Sequence, residues 1–403
     1  MEILYLGIVF AVIVGLLALH RPLYQSILGG LLATVLLFRI PISEVPVPVI
    51  RVFAEGSSLS ALVSLYLITY LQRMLDARGL IRKAQQNLDA LFHNRRVNAT
   101  VAPLFIGTLP SAAAMILCGD IVRDSTEGYL RPWEQAFVTS WVRHVPESIL
   151  PTYASVLLMI TLSGQSLPSY ILAMIPPAII LTLLGYFPYI HRLPKDPGTA
   201  RKEGGSRKQE MVGLLQNLWP LLLILLLILA GKVSVVLAVL LSVAAMAVVY
   251  RFSVKELAHI SVSAFDVNLL QNTFLVLVLK EFFVLTGVLQ TLPEVLSVLP
   301  IPTYLIFAVM CFLGGIISGT QGTIALSVPL AFAAIPNGGT PLVVLLMCMA
   351  HAASQVSPTH VCLVVAAEYY HVGMGELIRK SMPRALLFCV LMVGYYHLLQ
   401  LIF

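Results

Sequence analysis

The sequence predicts an all-α polytopic membrane protein made of two inverted-topology repeats, each with five membrane crossings, a re-entrant hairpin and one broken helix. Three observations predict it. The 403-residue chain is 59% hydrophobic and only 11% charged, with a mean hydropathy of +0.92, and its apolar runs are long enough to cross a bilayer. Anchor residues recur in the same order in both halves. Each half also interrupts its apolar runs twice with segments rich in Gly, Pro, Ser and Thr.

In the first half the apolar segments lie near 3–19, 23–38, 59–75, 133–162 and 168–190. The run from Ile3 to Leu19 has no basic leader and no small-residue cleavage site, so it reads as a retained spanning helix. A further stretch, 99–118, is too short to cross twice and carries GTLPSAAAM at its middle, where Pro110 breaks a helix. It reads as a re-entrant hairpin. The net charge of +6 signals orientation rather than affinity for nucleic acid. With the N-terminus outside and the hairpin re-entering, five crossings leave 191–210 in the cytoplasm of a cell whose plasma membrane holds the chain, and the C-terminus returns outside. Of the 25 Lys and Arg, all except Arg39, Arg51, Lys232 and Lys280 then fall at cytoplasmic loops or helix ends, as the positive-inside rule requires.

The repeat is carried by HVPESILPTY (144–153) and HAASQVSPTH (351–360). His144 and His351 stand 207 positions apart, as do Pro151-Thr152 and Pro358-Thr359, and Pro176 and Pro383. Gly79 pairs with Gly287 at 208, while Gly107-Thr108 pairs with Gly319-Thr320, Arg39 with Arg251 and Glu44 with Glu256 at 212. Residues 1–190 form the first repeat, the polar and charged 191–210 a linker, and 211–403 the second repeat. An odd number of crossings per unit inverts one copy relative to the other.

The interruptions are GTLPSAAAM (107–115), PESILPTY (146–153), SGTQGTIALS (318–327) and SQVSPTH (354–360). An unpaired backbone group in hydrocarbon is costly, so unwound backbone persists only where protein buries it or where it lines a wet cavity. Half-helix N-termini suit an anion, and carbonyls and hydroxyls suit a cation. The solute-binding candidates are therefore Thr108, Pro110 and Ser111; Pro151 and Thr152; Ser318, Gly319, Thr320, Gln321 and Thr323; and Ser357, Pro358, Thr359 and His360. Each hydroxyl also has a plainer role open to it, the capping of a half-helix. For the coupling ion the candidates are Glu147, Ser148 and Ser354. Glu147 is the only acidic residue between Glu134 and Asp196, and a carboxylate at membrane depth is a functional candidate by default. Ser354 takes its place in the second copy.

His144 and His351 are matched by the repeat, and shared packing accounts for them. His360 stands where the first copy has Tyr153, at the break itself, with contact to solute or proton and simple packing both open to it. Lys280 and Glu281 read as a scaffold pair bound to other helices. No Lys or Arg lies in the four segments, so N–H dipoles and hydroxyls rather than an arginine are expected to hold an anion.

Cys118, Cys311, Cys348, Cys362 and Cys389 show no CxxC or metal spacing and read as small buried hydrophobes, so no metal site is expected. There is no HExxH and no Gly-rich phosphate loop before a helix. No enzyme is expected, and no cofactor beyond a coupling proton or sodium ion. An intramembrane hydrolase using His144 and Glu147 would leave the duplication unexplained. An ion channel or lipid-handling scaffold would leave the matched interruptions unexplained.

Hairpin tips reading GTLPS and SGTQGT, with helix breaks reading LPTY and SPTH, resemble those of the ion transporter superfamily. That group includes the divalent anion:sodium symporters, the gluconate permeases and the gluconate permease-like family called domain of unknown function 401. The resemblance spans the whole chain in architecture and is specific at those four segments. It implies an elevator-type, homodimeric carrier in which hairpins and broken helices move against a scaffold. The symporters' Ser-Asn-Thr hairpin signature is absent, so neither sodium coupling nor dicarboxylate specificity carries over. The function expected is secondary active transport of a small organic anion, a carboxylate or sugar acid, coupled to protons or sodium.

Overall fold

The computed structural model describes residues 2–91, 94–108, 113–196, 207–298 and 300–403, and these contain nineteen α-helices and no strand. In the first half they are α1 (Glu2–Ala18), α2 (Leu23–Leu37), α3 (Pro46–Ala54), α4 (Gly56–Ala77), α5 (Leu80–Leu91), α6 (Arg95–Ile106), α7 (Ala113–Thr126), α8 (Pro132–His144), α9 (Ala154–Ser163) and α10 (Leu167–Tyr186). The second half supplies α11 (Arg207–Leu229), α12 (Val235–Val249), α13 (Val254–Ser263), α14 (Val267–Thr286), α15 (Val288–Ser297), α16 (Thr303–Ala334), α17 (Gly339–Ser354), α18 (Val361–Tyr369) and α19 (Met374–Leu399). Five of them, α10, α11, α14, α16 and α19, are long and apolar enough to cross a membrane, and α3 with α4 makes a sixth candidate bent by 72°. Together they make the chain a multi-pass membrane protein.

One of those five is not a span. Gly319 interrupts α16 with φ 73° and ψ 172°, a conformation open essentially to glycine alone. Thr323 Oγ1 then donates to the carbonyl of Cys311 at 3.4 Å. Twelve residues of straight helix would set those two about 18 Å apart, so α16 doubles back at Gly319 as a helical hairpin. In the first half α6 and α7 likewise pack against each other. Pro110 and Ser111 lie outside the described residues. α1 and α2, expected to cross, are 17 and 15 residues long. That is about 26 and 23 Å, short of a hydrocarbon core of about 30 Å.

Contacts between the halves are reciprocal. α2 packs on α14 while α4 packs on α12, α5 on α11 while α1 packs on α15, α8 on α18 while α17 packs on α9, and α10 on α17 while α19 packs on α8. Left-handed backbone recurs in the same order. His20 and Lys232 have φ of 58° and 51°, Arg39 and Arg251 52° and 49°, Gly79 and Gly287 61° and 72°, and Gly164 and His371 67° and 54°.

Polar contacts pin the ends of these helices. α13 opens with a capping box, in which the Ser253 and Glu256 side chains each accept from the other's backbone N–H. Arg78, at the end of α4, reaches across to Glu256 Oε1 at 2.9 Å and lies over the Phe252 ring at 3.7 Å. Lys280 Nζ stands 3.5 Å from both Glu55 Oε2 and Glu281 Oε1, beside the bend between α3 and α4. The lysine thus ties α14 to another helix, as expected, although its side chain also reaches its neighbour.

Candidate functional site

The run 133–162 is broken as the sequence suggested. α8 ends at His144, a single 3₁₀ turn follows over Val145–Ser148, and α9 begins only at Ala154. Pro146 and Pro151 explain the gap, since each removes a backbone donor. The second break separates α17 from α18 over 355–360, with Pro358 inside it.

Each break is fastened to the hairpin of its own half. Tyr153 Oη donates to the Gly107 carbonyl at 2.6 Å, and Ser357 Oγ donates to the Ile316 carbonyl at 2.7 Å. Both acceptors lie at the hairpin end of an arm, where helix carbonyls lack intrahelical partners. Backbone proximity repeats too: a Cβ on Gly107 would sit 1.9 Å from the Arg143 carbonyl oxygen, and one on Gly315 would sit 2.6 Å from Ala353 Cβ and 3.5 Å from the Ala350 oxygen. By packing, Gly107 therefore answers to Gly315, one turn before the Gly319 that its Gly-Thr dipeptide suggested.

A cavity of about 460 Å³ joins parts of both halves. Glu147, Thr152, Tyr153 and Ala154 of the first break line it, with Gln321 just beyond the second hairpin tip and Thr69, Gln72, Arg73, Asp76 and Asp266 from the ends of α4 and α14. Two helix N-termini thus meet one space. α9 begins at Ala154 with no side-chain cap on its first turn, and the second arm of α16 begins beside Gln321. Free N–H groups there favour negative charge. The side-chain oxygen of Thr152 is buried and has no hydrogen-bond partner, while three carboxylates in the same wall suit a cation.

The remaining candidates divide. Ser148 and Ser354 spend their hydroxyls on the carbonyls of Val145 and His351, at 2.8 and 2.7 Å, so of the three coupling candidates only Glu147 lines the cavity. Ser318 bonds back to Gly314 at 2.8 Å, and Thr323 is buried inside its hairpin. Thr108 donates to Phe105 O at 2.8 Å and lines a separate apolar cleft with Val145, Pro146 and Ile175. Pro151 is buried, Thr320 half-buried, and Pro358 and Thr359 exposed. Thr359 Oγ1 lies 2.9 Å from Ser357 Oγ.

The two breaks touch through His144, expected to serve packing, and His360, a solute-binding candidate. His144 Nε2 is 2.9 Å from His360 Nε2 and 3.7 Å from Glu147 Oε2. Arg143, buried at 2% exposure, brings Nη1 to 3.5 Å from His144 Nε2 and 3.6 Å from Cys362 Sγ. Arg143 and Arg73 both lie outside the four interrupted segments, so neither was among the residues expected to meet an anion. An arginine in an apolar run, three residues before Pro146, was the available signal.

The fold and the site define an all-helical polytopic membrane protein whose interrupted helices enclose a polar cavity. The chain belongs to the family described as protein of unknown function (DUF401), whose model matches residues 3–399. No curated protein matches it in sequence. Among solved structures its fold is similar to that of the Alcanivorax borkumensis YdaH transporter, with a TM-score of 0.53 and 14% identity over 88% of this chain and 86% of that one.

Proposed function

We propose that this protein is a secondary active transporter of a small organic anion, a carboxylate or sugar acid, coupled to protons or sodium. The observation that carries it is the cavity in which Glu147, Thr152 and the bare N-terminus of α9 meet Gln321 of the opposite half. An anion placed there meets the partial charges of helix N-termini and the exposed, water-screened Arg73, and it can leave again because neither holds it as firmly as a buried ion pair. Glu147 carries the coupling ion in this mechanism.

The similarity of the fold to that of the YdaH transporter supports the same conclusion. Reciprocal packing between the halves and the matched left-handed positions support two repeats related by a pseudo-two-fold axis, inverted in the membrane. In this mechanism the hairpins and broken helices, α6–α10 and α16–α19, move as an elevator against α1–α5 and α11–α15. The protein works as a homodimer in the plasma membrane, with both termini outside and 191–210 in the cytoplasm.

Proteoliposomes test the proposal. Vesicles loaded with gluconate or succinate are expected to accumulate the labelled solute by counterflow, and an imposed pH or sodium gradient is expected to drive net uptake. Electrodiffusive flux without counterflow would instead identify a channel. Peptide cleavage would identify a hydrolase.

A further inference from the structure

The contact between the two helix breaks has a composition that anion transport does not require. His144 Nε2, His360 Nε2 and Cys362 Sγ all lie within 4.8 Å of one another. His144 is the last residue of α8, His360 precedes the first turn of α18, and Cys362 lies two residues further on. Two imidazoles and a thiol are the donor set of borderline and soft transition-metal ions.

A second observation aims one of these donors. His144 Nδ1 meets the carbonyl oxygen of Ser140. A carbonyl only accepts, so Nδ1 carries the proton and Nε2 is left with its lone pair facing His360. This is the outer-shell arrangement that fixes a ligating histidine. Glu147 Oε2, 3.7 Å from the same Nε2, is positioned to complete the coordination directly or through water. Arg143 Nη1, 3.6 Å from Cys362 Sγ, is positioned to donate to a thiolate.

We infer that His144, His360 and Cys362 form a binding site for a transition-metal ion of the Zn²⁺ class, joining the end of α8 to the start of α18. Binding at tetrahedral angles with metal–nitrogen bonds of about 2.0 Å requires the two Nε2 atoms to be about 3.3 Å apart. They stand at 2.9 Å, so a shift of a few tenths of an ångström admits the ion. Cys362 loses its proton on binding. The thiolate and the Glu147 carboxylate together offset Arg143 and part of the metal charge. Because the ion links two helices distant in sequence, it stabilises the folded state by mass action. None of this depends on the transported solute.

The test uses the full chain in detergent, reduced, stripped with chelator and titrated with Co²⁺ and then Zn²⁺. We expect one equivalent of Co²⁺ to bind with a thiolate-to-cobalt charge-transfer band, Zn²⁺ to displace it, and Zn²⁺ to raise the melting temperature. Cys362→Ser is expected to abolish the band and weaken Zn²⁺ binding by about tenfold or more, while melting like wild type without metal. Cys362 is half-buried, so this variant tests the site even if His360→Ala does not fold. A cobalt spectrum without a thiolate band in wild type overturns the inference, as does equal Zn²⁺ affinity in wild type and Cys362→Ser.

Discussion

The break after α8 and the break after α17 each hold their own hairpin by one hydrogen bond, from Tyr153 in one case and Ser357 in the other. They differ in what they present. The first carries a carboxylate, a 3₁₀ turn and a buried threonine oxygen without a partner, all at the cavity. At the second stand a serine bonded to its own helix and a hydroxyl pair satisfied internally. The shared fastening belongs to the architecture, while the chemistry is concentrated in the first break.

The largest effect that tests this comparison is steric. Gly107→Ala drives a methyl into a backbone carbonyl at 1.9 Å, whereas Gly315→Ala meets a side-chain methyl at 2.6 Å. Gly107→Ala is expected to cost more than about 3 kcal/mol, beyond ordinary overpacking, and Gly315→Ala about 1–3 kcal/mol. Thermal unfolding in detergent measures both, and equal losses would mean that the two joints are not packed as differently as these distances say.

Next comes the asymmetry of charge. Glu147→Gln is expected to abolish pH-driven uptake while leaving exchange, and Ser354→Ala to leave both intact. Normal proton-driven uptake in Glu147→Gln removes that residue from coupling. Smaller again, Thr152→Ala is expected to weaken solute affinity about fivefold, the worth of one hydrogen bond of about 1 kcal/mol. Thr359→Ala, away from the cavity, is expected to change it less, so a greater loss in Thr359→Ala would move the solute toward the second break.

The smallest effect lies outside both breaks. Hydrogen bonding from Arg78, with further help from Ser253, holds the Glu256 carboxyl down to about 2 from its ordinary 4.5. Because the folded value is the lower one, the contribution is complete above pH 4.5 and is lost as pH falls toward about 2. Arg78→Ala should therefore lower stability by a small, constant amount above about pH 4.5 and by progressively less toward about pH 2, flattening the acid end of the profile, as a melting series against pH will record.

The positions of the breaks were legible because Pro146, Pro151 and Pro358 in apolar runs have few explanations other than unwound backbone. Their partners were not. His360 and Cys362 lie more than 200 residues from His144, and a spacing rule for metal ligands does not reach that far. Nothing in the sequence sets Asp76, Arg73 and Asp266 apart from other charges; the packing of α4 on α14 and α9 places them in the wall of the cavity that Glu147 lines. The Gly-Thr dipeptides at 107 and 319 misled by one turn, since the backbone contact, not the dipeptide, defines the equivalent glycine. The ends of α1 and α2 were legible to within a residue as the apolar runs 3–19 and 23–38, and their length, at the short end of what a crossing needs, was already in the sequence.

His20, Arg39, Lys232 and Arg251 close α1, α2, α11 and α12 in left-handed backbone, where glycine would relax a strain of about 1 kcal/mol or more. Glycine has no side chain to reach a phosphate headgroup, whereas a basic one at a helix C-terminus both faces the dipole and snorkels to the lipid surface. Exposed at four helix ends, these basic side chains are placed to meet an anionic lipid surface. Exchanging them for glycine should stiffen the protein in detergent micelles and loosen its seat in anionic vesicles, so its stability ranking depends on the solvent in which it is measured.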